Sequence, residues 1–426
     1  MSLSSARRTP RTLGLAVALG LVSSALAVAG VTASSPAASA DTSTSDLHIA
    51  SYNIEINKPI DQFREGVDFI KSVSDVAGLQ EAGGAPRRKY LDGDHTWRIY
   101  HPPSYPQIPI IWNPRVYEMV SAHQVKLSDA AQIEDRHGGL MPWKAGFAGV
   151  VRLRQLSTGY VFSLINVHLV RGAVNRGRPR SNAPRTYRVY KQQVSALKAA
   201  VADERSHGLP VYVTGDFNVG YAADRQVQLN NLPYSRMTSL DEVANWKGKK
   251  LNDYGTHIDT SCSRGRSHCG AYIDQIWAPA VASTSTVYIH QVHSDHYPIM
   301  STYPIPVAAG YRPPTGTIGF SNDVTEREWN KPWQTRDNPM VFHLVGDMSH
   351  GFADVSVTNG TGVEGRDFTV DTSSLYDDDP TNNQVVVNTI PNTTPEPDKT
   401  FTLTLVNPFN TTITQATATG TITNDD

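Results

Sequence analysis

The stretch Thr214-Gly215-Asp216-Phe217-Asn218-Val219-Gly220 (TGDFNVG) follows directly on the apolar run Leu209-Pro210-Val211-Tyr212-Val213. A short β-branched run after a Gly-Leu-Pro break predicts a buried strand. Residues two apart on a strand project from one face, so a strand continued this far aims the Asp216 carboxylate and the Asn218 amide at one spot. A turn that needed only polar residues would read the same way. The decision rests on whether other segments aim at that spot.

Five more segments share the form of an apolar strand ending in groups that bind metal or move protons. They are IASYNIE (Asn53), VAGLQEAG (Glu81), LINVHLV (Asn166 and His168), AYIDQIWAP (Asp274) and HSDHYPIM (Asp295 beside His296). Each has a bland reading: a lone His168 as a satisfied core histidine, Glu81 as a capping or ion-paired group, Asp-Asn as turn chemistry. Independent turns, however, have no reason to supply this mixture of carboxylates, amides and imidazoles. The set suits hydrolysis of a phosphate ester, whose negative charge repels an anionic nucleophile and calls for a hard cation. Asn53 and Glu81 are suited to hold Mg²⁺ or Mn²⁺, with Asp295 as a further ligand. The imidazole of His296 can deprotonate a water near neutral pH, and Asp274 can orient that imidazole.

In order and over most of 45–303, these segments resemble the endonuclease/exonuclease/phosphatase superfamily with its DNase I-like fold. SDHYPI and GDFN are the most specific matches, supported by LQE, VHL and YIDQI. The resemblance implies an α/β (α+β) four-layer sandwich, two packed mixed β-sheets flanked by helices, with a divalent metal where the sheet ends converge. It implies metal ligation by Asn53 and Glu81, with Asp295 assisting the metal or His296. His296 then activates water, Asp274 orients it, and Asp216 and Asn218 position the nucleophile, phosphate or metal. His168 stabilises phosphoryl oxygens or helps the leaving group. One departure concerns His168. DNase I-type nucleases place a partner Glu just before a mid-domain strand, and here Tyr105-Pro106-Gln107 precedes Ile108–Trp112.

Around this core the chain divides. Arg7, Arg8 and Arg11, the apolar stretch Leu13–Val31 and Ala38-Ser39-Ala40 have the layout of a secretory signal peptide over 1–40. The expectation is an exported protein with no membrane-spanning segment in the mature chain. In that compartment Cys262 and Cys269 predict one local disulfide. Ile60, Phe63, Val67 and Ile70 recur at helical spacing, as do Tyr187, Tyr190, Val194, Leu197 and Val201. Pro, Ala and Gly break the pattern near 304–316, which places a catalytic body at 41–310 and a second domain at 311–426. The body carries 29 basic and 24 acidic residues, the tail 6 and 16. The tail's short alternating runs predict an all-β sandwich. TGTIGFSNDVTE, VEGRDFTV, PDKTFTLTLVNP and GTITNDD resemble a Calx-β domain, and some members of that family bind Ca²⁺. The corresponding acidic positions are Glu326, Asp367, Asp398, Asp425 and Asp426.

Substrate is read from the rim. Seven basic residues and no acidic one lie between Arg171 and Lys191, directly after His168. Arg171 and Arg185 are the expected phosphate contacts, and a basic run of this kind can track a nucleic-acid backbone. The leading reading is a secreted metal-dependent nuclease acting on DNA or RNA. The alternatives are a phosphatase or phospholipase/sphingomyelinase-type phosphodiesterase and, in another class, a binding or adhesion protein on an inactive scaffold. A lipid-acting protein needs an exposed apolar loop, for which YHPPSYPQIPIIW (100–112) is the sequence candidate.

Overall fold

A computed structural model of the chain describes residues 44–425 apart from 95, 136, 246–254, 258–270, 290–292, 314, 332–333, 335–337, 348–350 and 372–382. The signal segment, the Cys262–Cys269 pair and Asp426 lie outside the described residues.

In chain order the body runs β1 (Thr44–Asn53), α1 (Ile60–Val73), β2 (Val76–Gln80), α2 (Ala85–Asp92), β3 (Arg98–Tyr100), β4 (Ile110–Trp112), β5 (Tyr117–Ser128), β6 (Ala131–Glu134), β7 (Leu140–Trp143), β8 (Gly146–Gln155) and β9 (Val161–His168). It continues through β10 (Val174–Asn175), β11 (Arg178–Pro179), α3 (Pro184–Ser206), β12 (Val211–Asp216), α4 (Tyr221–Val227), α5 (Pro233–Thr238), β13 (Val243–Ala244), β14 (Asp274–Ala278), β15 (Thr284–Val287) and β16 (Ile299–Pro306). One six-stranded sheet has the order β15-β16-β1-β2-β4-β3, and the other β13-β14-β12-β9-β8-β5. Each contains one parallel pair, β1–β2 or β9–β12, among antiparallel ones, so both are mixed.

The period-2 alternation of β1 explains the layering. Ala50 and Tyr52 point outward to a cluster with Phe63, Val67 and Ile70 of α1, while Leu47 and Ile49 point into the core shared with the second sheet. The long helix α3 buries Tyr190, Val194, Leu197 and Val201 in that larger core, and Glu204 near its end accepts a forked bond from Arg152 at 2.8 and 3.0 Å. Two mixed sheets packed face to face with helices outside are the architecture the resemblance implied.

Between the sheets a polar clasp replaces apolar packing. Asn166 Nδ2 donates to Leu79 O at 2.8 Å, and its Oδ1 accepts Gln80 Nε2 at 2.7 Å and Thr214 Oγ1 at 3.2 Å. Gly78 is required here for closeness: a Cβ on it would stand 2.2 Å from Thr214 Oγ1 and 2.5 Å from Asn166 Oδ1. Gly78→Ala should therefore cost about 1–3 kcal/mol through overpacking, read as a lower urea midpoint at unchanged slope. An unaltered midpoint would show that the sheets can part here freely.

The C-terminal strands are β17 (Gly316–Phe320), β18 (Val324–Arg327), β19 (Met340–Val345), β20 (Phe352–Asn359), β21 (Phe368–Asp371), β22 (Gln384–Thr389), β23 (Lys399–Phe409), β24 (Thr411–Gln415) and β25 (Thr417–Thr423). They form sheets β21-β22-β19-β17-β24 and β18-β25-β23-β20. Phe320, Phe342, Phe368 and Phe401 fill the space between them, so the tail is the all-β sandwich its alternation predicts. Arg115 on the body and Asp354 on the tail form an ion pair, and Asp354 also accepts Asn407 Nδ2 at 3.1 Å.

Candidate active site

Strand register assembles the site. Asp216 on β12 stands opposite His168 on the parallel neighbour β9 and opposite Asp274 on the antiparallel neighbour β14. Residues paired across strands share a face, so the three side chains lie abreast at one sheet end. On the other sheet Asn53 ends β1 opposite Gln80, and Glu81 follows at once. The two sets meet where Asn53 Nδ2 donates to Asp216 Oδ2 at 3.2 Å. Ser294 Oγ donates to Asn53 O at 2.7 Å and accepts the His296 N–H at 3.1 Å, which brings Asp295 and His296 to the same place.

The electrostatics follow from burial and pairing. His296 is 5% exposed, with Nδ1 at 2.8 Å from Asp274 Oδ2 and Nε2 at 3.9 Å from Asp216 Oδ2 and 3.7 Å from Asp295 Oδ1. Burial opposes a charged ring, but the charge and hydrogen bond of Asp274, helped by Asp216 and Asp295, outweigh it and raise its pKa to about 10. That shift favours the charged imidazolium, whereas the sequence reading expects a neutral ring that activates water. Burial raises the Asp216 pKa and Asp274 adds to this, while His296 and His168 hold it down. Asp216 Oδ1 accepts the Asn218 N–H at 2.8 Å, and Oδ2 lies 3.5 Å from His168 Nε2. Asn218 spends its amide N–H on Leu169 O at 2.9 Å, which fixes the turn after β12.

His168 Nε2 also lies 4.0 Å from Glu81 Oε1, whereas its Nδ1 is buried with no hydrogen-bond partner among the described residues. Gln107, at the position where a partner Glu would be expected, turns its backbone oxygen to the Ala82 N–H at 3.0 Å. The carboxylates that His168 Nε2 faces are those of Asp216 at 3.5 Å and Glu81 at 4.0 Å.

Two site turns hold carboxylates in left-handed backbone, Glu55 (φ 47°) and Glu81 (φ 57°). That conformation is costly for such residues and concentrates at functional sites. Arg87, buried at 5% exposure, secures both turns by donating to the carbonyls of Glu81, Ile56 and Lys58 at 2.9 Å and Glu55 at 3.0 Å. Glu81 Oε2 accepts the Ile56 N–H at 2.9 Å, and Glu55 Oε2 accepts the Asp295 N–H at 3.1 Å. Sequence reasoning missed Glu55 and Arg87, and it missed His257. The His257 ring stands 4.8 Å from the His296 ring at 81°, with Nε2 3.6 Å from Asp295 Oδ2. That imidazole is the main reason Asp295 falls to about 2, and His296 assists against partial burial.

Other expected residues make none of these contacts among the described residues. Arg171 is exposed on the loop after β9. Arg185 lines, with Arg188, Asp129 and Gln132, a separate cleft of about 390 Å³ that none of the catalytic candidates borders. In the tail, Asp367 is bound to Lys399 at 2.9 Å and Arg366 at 2.8 Å, Asp398 Oδ1 accepts the Asn424 N–H at 3.1 Å, and Glu326 Oε1 accepts the Arg327 N–H at 3.0 Å. Glu326, Asp367, Asp398 and Asp425 are not gathered into a metal-holding group among the described residues. The 100–112 segment is no membrane loop: Ile108, Ile110, Ile111 and Trp112 are at most 4% exposed.

Three solved structures illustrate the similarity. An endonuclease/exonuclease/phosphatase from Bacteroides vulgatus is 19% identical, with 62% of this chain and 99% of that one covered at a TM-score of 0.45. The mannosyl-6-phosphatase of Bacteroides thetaiotaomicron is 16% identical over 61% and 99% at 0.42. TDP2 of D. rerio, complexed with a single-strand DNA product, is 15% identical over 61% and 98% at 0.44. No curated protein matches the chain. The Endonuclease/Exonuclease/phosphatase family model matches residues 49–296, more than half of the 426, so the chain belongs to that family of phosphoester hydrolases.

Proposed function

We propose that the protein is an exported, divalent-metal-dependent phosphodiesterase whose substrate is nucleic acid. The observation that carries this reading is the linked series Asp274–His296–Asp216–His168, joined by separations of 2.8, 3.9 and 3.5 Å at the converging sheet ends. Asp216, a buried carboxylate with a raised pKa, is placed to take the proton of the attacking water. The His296 imidazolium, braced by Asp274, stabilises the negative charge gathering on the phosphoryl oxygens. His168 Nε2 faces the same point from the other side and serves the phosphoryl or leaving oxygen.

Asn53, Glu81 and Asp295 fit a hard cation by donor chemistry. All offer oxygen, and the backbone bonds to Asn53 Oδ1 (3.1 Å) and Glu81 Oε2 (2.9 Å) fix the orientation of each group. When bound, Mg²⁺ or Mn²⁺ would neutralise phosphate charge. The exposed Arg171, Arg176, Arg178 and Arg180 beyond β9 supply the electrostatic rim for a polyanion. For the tail we keep the Calx-β reading, with surface attachment as its role and calcium binding to be tested by titration calorimetry.

One observation favours a lipid substrate instead. The β6–β7 hairpin leaves Leu140 51% and Met141 37% exposed. It projects from the β5–β8 end on the side where Gly149 pairs with Asn166, two residues from His168. Digestion of plasmid DNA and RNA with and without Mg²⁺, beside phospholipid vesicles and inositol phosphates, separates the readings. Metal-dependent cleavage of nucleic acid is expected. Intact DNA and RNA beside hydrolysed lipid or monoester would end the nuclease reading.

A further inference from the structure

His257 enters the site through backbone pairing. It forms an isolated antiparallel bridge with His296, and the preceding Thr256 O accepts the Tyr297 N–H at 2.7 Å. Thr256 Oγ1 accepts the N–H groups of Ile273 and Asp274 at 3.0 Å each. One short segment is thereby stitched to both stretches of chain that carry the Asp274–His296 pair.

We propose that His257, Asp295 and His296 form a site for a borderline divalent cation such as Zn²⁺ or Co²⁺, and that an ion held there silences the catalytic imidazole. The silencing rests on the reading of His296 given above; the binding does not. Asp274 Oδ2 at 2.8 Å claims His296 Nδ1 and leaves Nε2 facing the cluster, the carboxylate–histidine arrangement that orients metal-ligating imidazoles. Nε2 of His296 is 3.7 Å from Asp295 Oδ1, and Nε2 of His257 is 3.6 Å from Asp295 Oδ2. The candidate ligand atoms of the three residues all lie within 4.8 Å of one another. Two ligands on one tetrahedral ion bonded at roughly 2.0–2.2 Å stand about 3.3–3.5 Å apart. A movement of a few tenths of an ångström therefore closes the first two distances.

Donor type selects the ion. Two imidazoles and one carboxylate suit Zn²⁺, Co²⁺ or Ni²⁺, whereas Mg²⁺ prefers the all-oxygen set of Asn53, Glu81 and Asp295, so the two sites share Asp295. The His257 side chain is 35% exposed, which opens a route from solvent, while His296 at 7% and Asp274 at 0% keep the inner side dry. An ion in this place occupies His296 Nε2, the atom that faces Asp295 and Asp216, so the imidazole can no longer turn that nitrogen to the phosphoryl group.

The test is a Co²⁺ titration of the full chain followed by its visible absorption, for wild type, His257→Gln, Asp295→Asn and Asp216→Asn. Folding of each variant is checked by circular dichroism. Wild type should bind one ion with tetrahedral bands. His257→Gln and Asp295→Asn should each weaken it at least tenfold, and Asp216→Asn should retain it. Equal binding by His257→Gln, or loss in Asp216→Asn alone, would overturn the proposal and put the ion at Asp216. In a parallel assay, Zn²⁺ should inhibit Mg²⁺-supported hydrolysis, with at least a tenfold higher half-inhibitory concentration for His257→Gln. Co²⁺ binding without Zn²⁺ inhibition would refute the silencing. A protein that binds the ion but hydrolyses no phosphoester would refute the functional reading and leave the site standing.

Discussion

Asp216→Asn should lower kcat by about 10²–10⁴-fold, the scale of a lost general base, while the fold and KM change little. Asparagine retains an oxygen to accept the Asn218 N–H, now at 2.8 Å, so the turn after β12 persists. What disappears is the proton acceptor and the charge that His296 and His168 face from 3.9 and 3.5 Å. The low-pH limb of kcat/KM should vanish with it, because the Asp216 pKa is raised by burial and its ionisation switches the wild-type enzyme on. An Asp216→Asn rate within tenfold of wild type would remove Asp216 from the chemistry. The double variant with His296→Ala should be little worse than either single one, since residues that act as a unit lose their joint contribution once.

His296→Ala should cost about 10²–10⁴-fold in kcat, and pH carries its signature. The ring keeps its proton until about pH 10, so wild-type activity should hold through neutrality and fall only above that. The same shift acts on stability. The folded pKa lies above the ordinary 6.5, so the stabilisation is complete below about pH 6.5 and is lost as pH rises through about 10. In metal-free protein, thermal unfolding of wild type should weaken across that window, and His296→Asn should show a flatter profile. Equal slopes for the two proteins would mean that His296 carries no such charge.

Much of this could be read from the sequence, and for identifiable reasons. The Val211–Val213 run is apolar and short enough to be a strand, and the periods of Phe63–Ile70 and Tyr187–Val201 are helical, so the layers were legible. The polar strand ends were visible because His168 and Asp216 each close an apolar run, while Asp274, expected at such an end, opens its strand. Their mutual register was not, since pairing joins residues 48 and 58 positions apart through contacts no local pattern encodes. His257 was hidden because no apolar run leads into it in the sequence; its bridge to His296 and the bonds of Thr256 place it. Arg87 reads as a surface residue in APRRKY, and its purpose emerges once two left-handed turns present their carbonyls to it. The upward shift of the His296 pKa depends on Asp274 and Asp216 from other segments as well as on Asp295, so an imidazole next to Asp295 gave no sign of it.

The clasp between the sheets has a consequence for how the molecule fails. Asn53, Glu81 and His296 belong to one sheet, and His168, Asp216 and Asp274 to the other. Catalytic alignment is therefore a measure of the gap that Gly78, Asn166 and Thr214 hold closed. Such a centre behaves as a seam. Pressure, heat or a wedge of denaturant that opens it by an ångström would extinguish turnover while every strand still keeps its ladder of hydrogen bonds, so activity is the most sensitive gauge of how tightly the two halves stay pressed together.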